Sequence, residues 1–397
     1  MQSNSANPLA GLGVVPDYGG TGITNLMASV STALGVDSPY APLGTLPPAK
    51  LAARAHIVLV VIDGLGEAFL SARGPCFLGE QPRQRLTSVF PSTTASAMTT
   101  YYTAVAPQQH AITGWFTYLR ELGSVAAVLP FVPRHGGEPF SASGIGPGDI
   151  IASPVLAARV NTRHQHMVTA SYIADSDFTL ATAAGARRHP YEDLAGFCEA
   201  IAKVVTQTPA PSYTLAYWPQ LDSLAHRFGV ASQNVAEHFA AIDAALAQLS
   251  RRLAGHDCIV LVSADHGLVD TDEQHLIEVE AHRPLHDALV LPLCGEPRAA
   301  YCYVHANKQS QFEDYVHSAL GHCCDVVSSE RLINDGLFGQ GPAASQLAER
   351  VGHYVLLMRA PYIIKDRLAN ERPFHQIGVH GGLSEREMWV PLIRIAG

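Results

Sequence analysis

Residues 57–62 form an unbroken run of Ile, Val and Leu. A run without polar alternation predicts a strand buried on both faces. Residues 215–218 and 258–262 read the same way. Between these two, Phe239, Ile242, Leu246, Leu249 and Leu253 recur at steps of three and four. That spacing predicts an amphipathic helix over 235–253, and Gly255 stops it. A shorter helix is predicted over 25–34, stopped by Gly35. Another opens after Phe90, Pro91 and Ser92, in a small-residue stretch that continues toward Thr103. Residues 42–48 are turn-rich and read as a linker. Residues 128–149, rich in Pro and Gly without a period, read as an excursion from the core. Strands alternating with helices imply an α/β fold, with a mainly parallel central sheet covered by helices on both faces as a three-layer αβα sandwich.

Composition narrows the picture. The chain has 397 residues, 47% of them hydrophobic and 15% charged, enough to bury a large core and to exclude disorder as its main state. Its net charge of −9 lacks the basic excess of a duplex nucleic-acid binder and argues against an anionic membrane surface. The strongest apolar run, 57–62, is far short of the roughly 20 residues that span a bilayer. The first eight residues lack a basic and an apolar region, so no secretory signal is expected. Seven cysteines, an odd number with no CxxC pair, do not make a disulfide framework or a thiolate zinc site. A cytoplasmic protein with reduced thiols is the expectation.

Candidate chemistry collects at the carboxyl ends of the predicted strands, where open α/β sheets place their sites. Asp63 follows 57–62. Asp222 and His226 follow 215–218, four residues apart, so that on a helical turn they share one face. Asp265 and His266 follow 258–262, and His380 precedes Gly381 and Gly382 near the end of the chain. Taken singly, an Asp after a strand is a turn residue and a lone His a hydrogen-bonded one. Together, three carboxylates and three imidazoles suit Zn²⁺, and also Mn²⁺ or Fe²⁺.

In this combination and order the residues resemble the alkaline phosphatase superfamily, specifically its type I phosphodiesterase/nucleotide pyrophosphatase branch. The resemblance extends from about Ile57 to Leu392. Family members carry a metal-ligand Asp after a strand, matching Asp63, and then a nucleophile stretch matching Phe90, Pro91, Ser92, Thr93 and Thr94. A Pro-x-x-His stretch matches Pro107 and His110. The Asp-x-x-x-His pair matches Asp222 and His226, the Asp-His pair Asp265 and His266, and the late His-Gly-Gly His380, Gly381 and Gly382. The resemblance implies one metal held by Asp222, His226 and His380. It implies a second held by Asp63, Asp265 and His266, with Thr94 bridging toward it as the nucleophile. Thr93 is the lesser candidate for that role, and a helix cap is the plain alternative for Ser92, Thr93 and Thr94.

The implied reaction is in-line transfer of a phosphoryl group of a small phosphodiester, through a phospho-threonine intermediate, with two divalent metals as cofactors. Some positions depart from the family pattern. The Asn that binds a phosphate oxygen falls on Trp115, whose indole N–H is the candidate substitute donor. Ala111 replaces the Gly after the Pro-x-x-His stretch, and Ala95, Ser96, Ala97 and Met98 replace Phe-Pro-Asn-His. No Arg lies near Thr94, which favours a singly charged diester over a monoester. A phosphomonoesterase or phosphonate hydrolase of the same superfamily is the alternative. A sulfatase would need a Cys-x-Pro-x-Arg stretch that is missing. A non-catalytic binding protein would be expected to lack ligands. Trp115, Phe116 and Tyr118 read mainly as core aromatics, and Arg134, His135, Arg187, Arg188 and His189 as solvated loop charge. Residues 1–50 are expected to pack as an N-terminal segment on a catalytic domain of 51–397, with a small cap or excursion near 120–190.

Overall fold

The computed structural model describes residues 11–369, 371, 373 and 376–396. The run at 57–62 becomes the strand His56–Ile62, every residue of it buried. It pairs in parallel with Ser212–Trp218 on one side and Cys258–Ser263 on the other. His164–Ala170 and Arg187–Tyr191 continue the sheet in parallel beyond Ser212–Trp218. On the opposite side, Trp389–Ala396 runs antiparallel to Cys258–Ser263 and to the edge strand Arg83–Thr87. Six of these seven strands therefore point one way.

That common direction positions the site. Register pairs Ile62 with Trp218, and Val61 with Ser263. The chain thus leaves three adjacent strands at one level, and the next residues are Asp63, the segment leading to Asp222, and Asp265 with His266. Arg83–Thr87 points the same way and delivers the 88–94 loop to the same edge.

Helices form where the periodicity places them. Gln233–Leu253 buries Val235, Phe239, Ile242, Leu246, Leu249 and Leu253, and the Ser232 hydroxyl caps it by accepting the Val235 N–H. Ile23–Ala33 buries Ile23, Leu26, Met27 and Val30 in the same core as the central strands. None of the described helices is long and apolar enough to cross a membrane. The seven cysteines are free thiols.

The stretch 120–190 departs from the expectation of a cap. Its residues 164–170 and 187–191 are strands of the central sheet. Polar residues hide both: the first opens on His-Gln-His, and the second, Arg-Arg-His-Pro-Tyr, is an edge strand, where charge and proline are tolerated. Residues 116–133 join a second, antiparallel sheet of seven strands that the sequence pattern does not announce. Its order is Cys324–Ser328, Tyr354–Met358, Ala299–Cys302, Cys294–Glu296, Phe116–Leu119, Ser124–Ala127 and Val132–Pro133. These strands have two to five residues each, too short for alternation to register.

Candidate active site

Asp63, Asp222, Asp265, His266 and His380 come together at the shared strand edge, all buried. Two groups of ligand atoms form there. In one, Asp63, Asp265 and His266 lie within 4.8 Å of one another, and in the other Asp222, His266 and His380 do. His266 stands between the groups, its ring stacked on His380 at 3.7 Å between centroids. His226 sits beside the second group, with Nε2 at 3.0 Å from Asp222 Oδ2. The structure thus places all six expected ligands at one locus. It puts His266 within reach of both groups, where the family pattern assigns His226 to the second.

Each carboxylate is anchored by one oxygen and leaves the other bare. Asp265 Oδ1 accepts the Gly64 and His266 amides at 3.1 and 2.9 Å. Asp63 Oδ2 accepts the Tyr217 hydroxyl, with the Thr94 hydroxyl at 3.4 Å. Asp222 Oδ2 faces His226. The remaining oxygens, Asp63 Oδ1, Asp222 Oδ1 and Asp265 Oδ2, are buried without a hydrogen-bond partner.

The imidazoles are prepared in the same sense. His226 Nδ1 meets the Gly378 carbonyl at 2.7 Å, His266 Nδ1 the Gly267 carbonyl at 3.1 Å, and His380 Nδ1 the Ser92 carbonyl at 3.2 Å. A carbonyl only accepts, so each Nδ1 carries a proton and each Nε2 points into the cluster; on His226 that nitrogen faces the Asp222 carboxylate and gives up its own proton when it binds a metal. Orphaned carboxylate oxygens beside bare imidazole nitrogens fit divalent cations with O/N ligands.

Electrostatics follow the packing. Burial, then Asp265 and Asp222, push the Asp63 carboxyl well above its ordinary range. Burial also works against Asp222, but the His226 imidazole outweighs it and holds that carboxyl below the usual range. His226 is raised in turn: burial opposes its charge and Asp222 prevails. Burial and then His266 drive His380 well below the ordinary imidazole value.

Thr94 is the first residue of the helix Thr94–Thr103, and its hydroxyl is 3.2 Å from His266 Nε2. Thr93, the N-cap, is fully committed elsewhere: its buried hydroxyl donates to Glu296 Oε1 at 2.7 Å. Of the two threonines, only Thr94 presents its oxygen to the ligand cluster. Ser92 donates to the Gly382 carbonyl at 2.7 Å and so ties the nucleophile loop to the His380 loop. The two glycines after His380 are there for space. Gly381 has φ +107°, and a Cβ on it would stand 2.6 Å from Glu296 Cβ. Gly382 lies against the Glu387 carboxylate, which accepts its amide at 2.8 Å and pairs with the buried Arg298.

Trp115 is 38% exposed, and its backbone N–H donates to Glu296. Phe116 and Tyr118 pack against the second sheet's core, as core aromatics do. Arg134 is not solvated loop charge: it is buried, paired with Asp366 and Glu371. Arg188 is paired with Asp175. His110 is structural, its Nδ1 accepting the Ile112 amide and its Nε2 meeting Thr100.

Sequence reasoning missed Glu296 and Tyr217. Glu296 lies in a three-residue strand with no periodic signal, and burial pushes its carboxyl up to about 7. Tyr217 lies one residue before the end of Ser212–Trp218, where its phenol reaches the edge occupied by Asp63.

Comparison with known proteins agrees with this fold. The family model described as type I phosphodiesterase/nucleotide pyrophosphatase matches residues 58–381. No curated protein matches the chain. Among solved structures, murine ectonucleotide pyrophosphatase/phosphodiesterase 5, here an inactive variant in complex with AMP, is similar at TM-score 0.63 and 16% identity, over 85% of this chain and 87% of that one. Its human counterpart has 14% identity, at the same TM-score and coverage. Phosphonoacetate hydrolase from Sinorhizobium meliloti 1021, in complex with phosphonoformate, is similar at TM-score 0.63 and 16% identity, over 86% of this chain and 90% of that one. A family match over most of the chain, on a mixed α/β fold that brings the expected ligands together, makes this chain a member of the type I phosphodiesterase/nucleotide pyrophosphatase family.

Proposed function

We propose that the chain is a two-metal phosphodiesterase that acts through Thr94. The observation that carries the reading is the Thr94 hydroxyl, 3.2 Å from His266 Nε2 and 3.4 Å from Asp63 Oδ2, beside three orphaned carboxylate oxygens. Asp63, Asp265 and His266 would hold one divalent cation and Asp222, His380 and His226 a second (zinc first, manganese or iron as alternatives), and these would supply a lowered hydroxyl pKa and charge neutralisation for the transferred group.

The chain's own groups do the rest. The Thr94 hydroxyl gives up its proton as its oxygen bonds to phosphorus, the P–O bond to the ester group breaks and that group leaves as an alcohol with a proton from solvent; water then attacks the phospho-threonine, releasing a phosphomonoester and restoring the Thr94 hydroxyl. Asp63 and His266 hold the hydroxyl in place before attack. Tyr217, whose pKa burial and then Asp63 raise, keeps its proton, and its O–H donates a hydrogen bond to Asp63 Oδ2. Tyr172 follows the His164–Ala170 strand at the same edge and is 72% exposed, in the field of Asp63. Its ring is a suitable platform for the organic part of an ester.

Charge supports a diester. Each equatorial charge of the transferred group needs a counter-charge. The three buried arginines among the described residues are engaged with carboxylates: Arg134 with Asp366 and Glu371, Arg298 with Glu387, and Arg350 with Glu121. A phosphonate hydrolase is the second reading, favoured by the likeness to phosphonoacetate hydrolase. A substrate panel on zinc-loaded protein separates the readings. For bis-p-nitrophenyl phosphate or a thymidine 5′-p-nitrophenyl ester, kcat/KM exceeds that for p-nitrophenyl phosphate by at least about tenfold, roughly 1.4 kcal/mol in the barrier. Equal or reversed preference contradicts the diester reading. Phosphonoacetate turned over faster than any diester supports the second.

A further inference from the structure

Thr93 occupies the position from which a threonine hydroxyl ordinarily accepts an N–H of the helix's first turn. It makes no such bond. The hydroxyl donates instead to Glu296 Oε1 at 2.7 Å, and the same oxygen accepts the Trp115 amide at 2.7 Å. The first backbone bond of the helix runs from the Ala97 amide to the Thr93 carbonyl at 2.9 Å. The amides of residues 94–96 are thus the helix's open donors. They lie next to the Thr94 hydroxyl, which itself faces the buried, orphaned carboxylates of Asp63 and its neighbours.

Glu296 cannot easily leave its post. Its Cβ backs onto Gly381, where even one more carbon would stand 2.6 Å away. Its strand pairs with Ala299–Cys302 and, through Gly295, with Phe116. One carboxylate oxygen therefore joins the nucleophile loop to the segment that opens the Phe116–Leu119 strand, with the His380 loop at its back.

We propose that Glu296 is a positioning residue that holds the Thr93 hydroxyl out of the capping position, leaving the first-turn amides of the Thr94–Thr103 helix open to an oxygen of the transferred phosphoryl group. The inference rests on the phosphoester reading above. Uncapped helix N-termini favour anions through their N–H groups and dipole. A free threonine hydroxyl competes for the same donors, and a cap of ordinary strength corresponds to about a fivefold loss of anion affinity.

The test is calorimetric titration of inorganic phosphate into zinc-loaded protein, with metal content matched between variants. E296A frees the Thr93 hydroxyl to cap and binds phosphate about fivefold more weakly or worse. Adding T93V removes that hydroxyl, and E296A/T93V returns to within about twofold of wild type. A merely structural role for Glu296 would not be rescued by a second substitution. E296Q keeps the volume and an acceptor oxygen and stays within about twofold. E296A equal to wild type, or E296A/T93V as weak as E296A, overturns the proposal. If E296A does not fold, a fivefold loss in E296Q overturns it. Wild type that binds no phosphate overturns the phosphoester reading together with this one, whereas intact wild-type binding with the wrong variant pattern overturns this one alone.

Discussion

Three aspartates packed side by side are a liability in a protein without a cation. Burying an unpaired carboxylate costs on the order of several kcal/mol, and here Asp63, Asp222 and Asp265 each keep one oxygen without a partner. The cost is partly met by protons. Asp63 is raised by burial and by its two neighbours, and His226 is raised because Asp222 outweighs its burial. A raised pKa means a proton retained at higher pH, and a metal must displace it. Zinc binding near neutral pH should therefore release protons. Calorimetry in two buffers of different ionisation enthalpy measures this, and no release would contradict the protonation assigned to the pair. The hydroxyl has its own test. Thr94→Ala should lower kcat by at least about a thousandfold while metal content stays at the wild-type level, and Thr94→Ser should keep substantial turnover, because the oxygen survives. Near-wild-type kcat in Thr94→Ala would remove Thr94 as nucleophile. These side chains were legible in the sequence because each sits just past a strand or in a tight motif. Glu296 and Tyr217 were not, because their roles arise from what packs against them.

Among the elements, legibility followed length and periodicity. Gln233–Leu253 runs for six turns with one apolar face, and the sequence placed it almost to the residue. His56–Ile62 and Cys258–Ser263 were visible as uniformly apolar runs. The second sheet was not. Tyr354–Met358 is fully buried, yet five apolar residues suit a strand or a helix turn equally. Its strands are specified by partners far away in the chain, as when Ala299–Cys302 pairs with Tyr354–Met358. The site depends on this sheet through Glu296 and Arg298, which back the His380 loop. Gly381 is where that dependence can be probed. A side chain there must accept φ +107° and displace Glu296. Gly381→Ala should cost about 1–3 kcal/mol of stability and lower metal affinity, because the shift falls on the residue next to His380. Unchanged melting temperature and metal content would mean that the loop yields more easily than its packing indicates.

Across the whole molecule, the site is a product of topology. Asp63 and His380 are separated by most of the chain, yet strands running in one direction return it repeatedly to the same edge. The order of motifs could be read in the sequence, and with it the family. The distances between them could not, since they follow from register: Ile62 with Trp218, and Val61 with Ser263. Membership in the family and convergence of the candidate ligands support the proposal that this edge holds two metals around Thr94. Anomalous diffraction at the zinc edge, on crystals grown with zinc, tests it most directly. The account predicts two peaks about 4 Å apart, one within about 2.0–2.2 Å of ligand atoms from Asp63, Asp265 and His266, the other at the same distance from Asp222, His380 and His226. A single peak, or peaks away from these side chains, would contradict it.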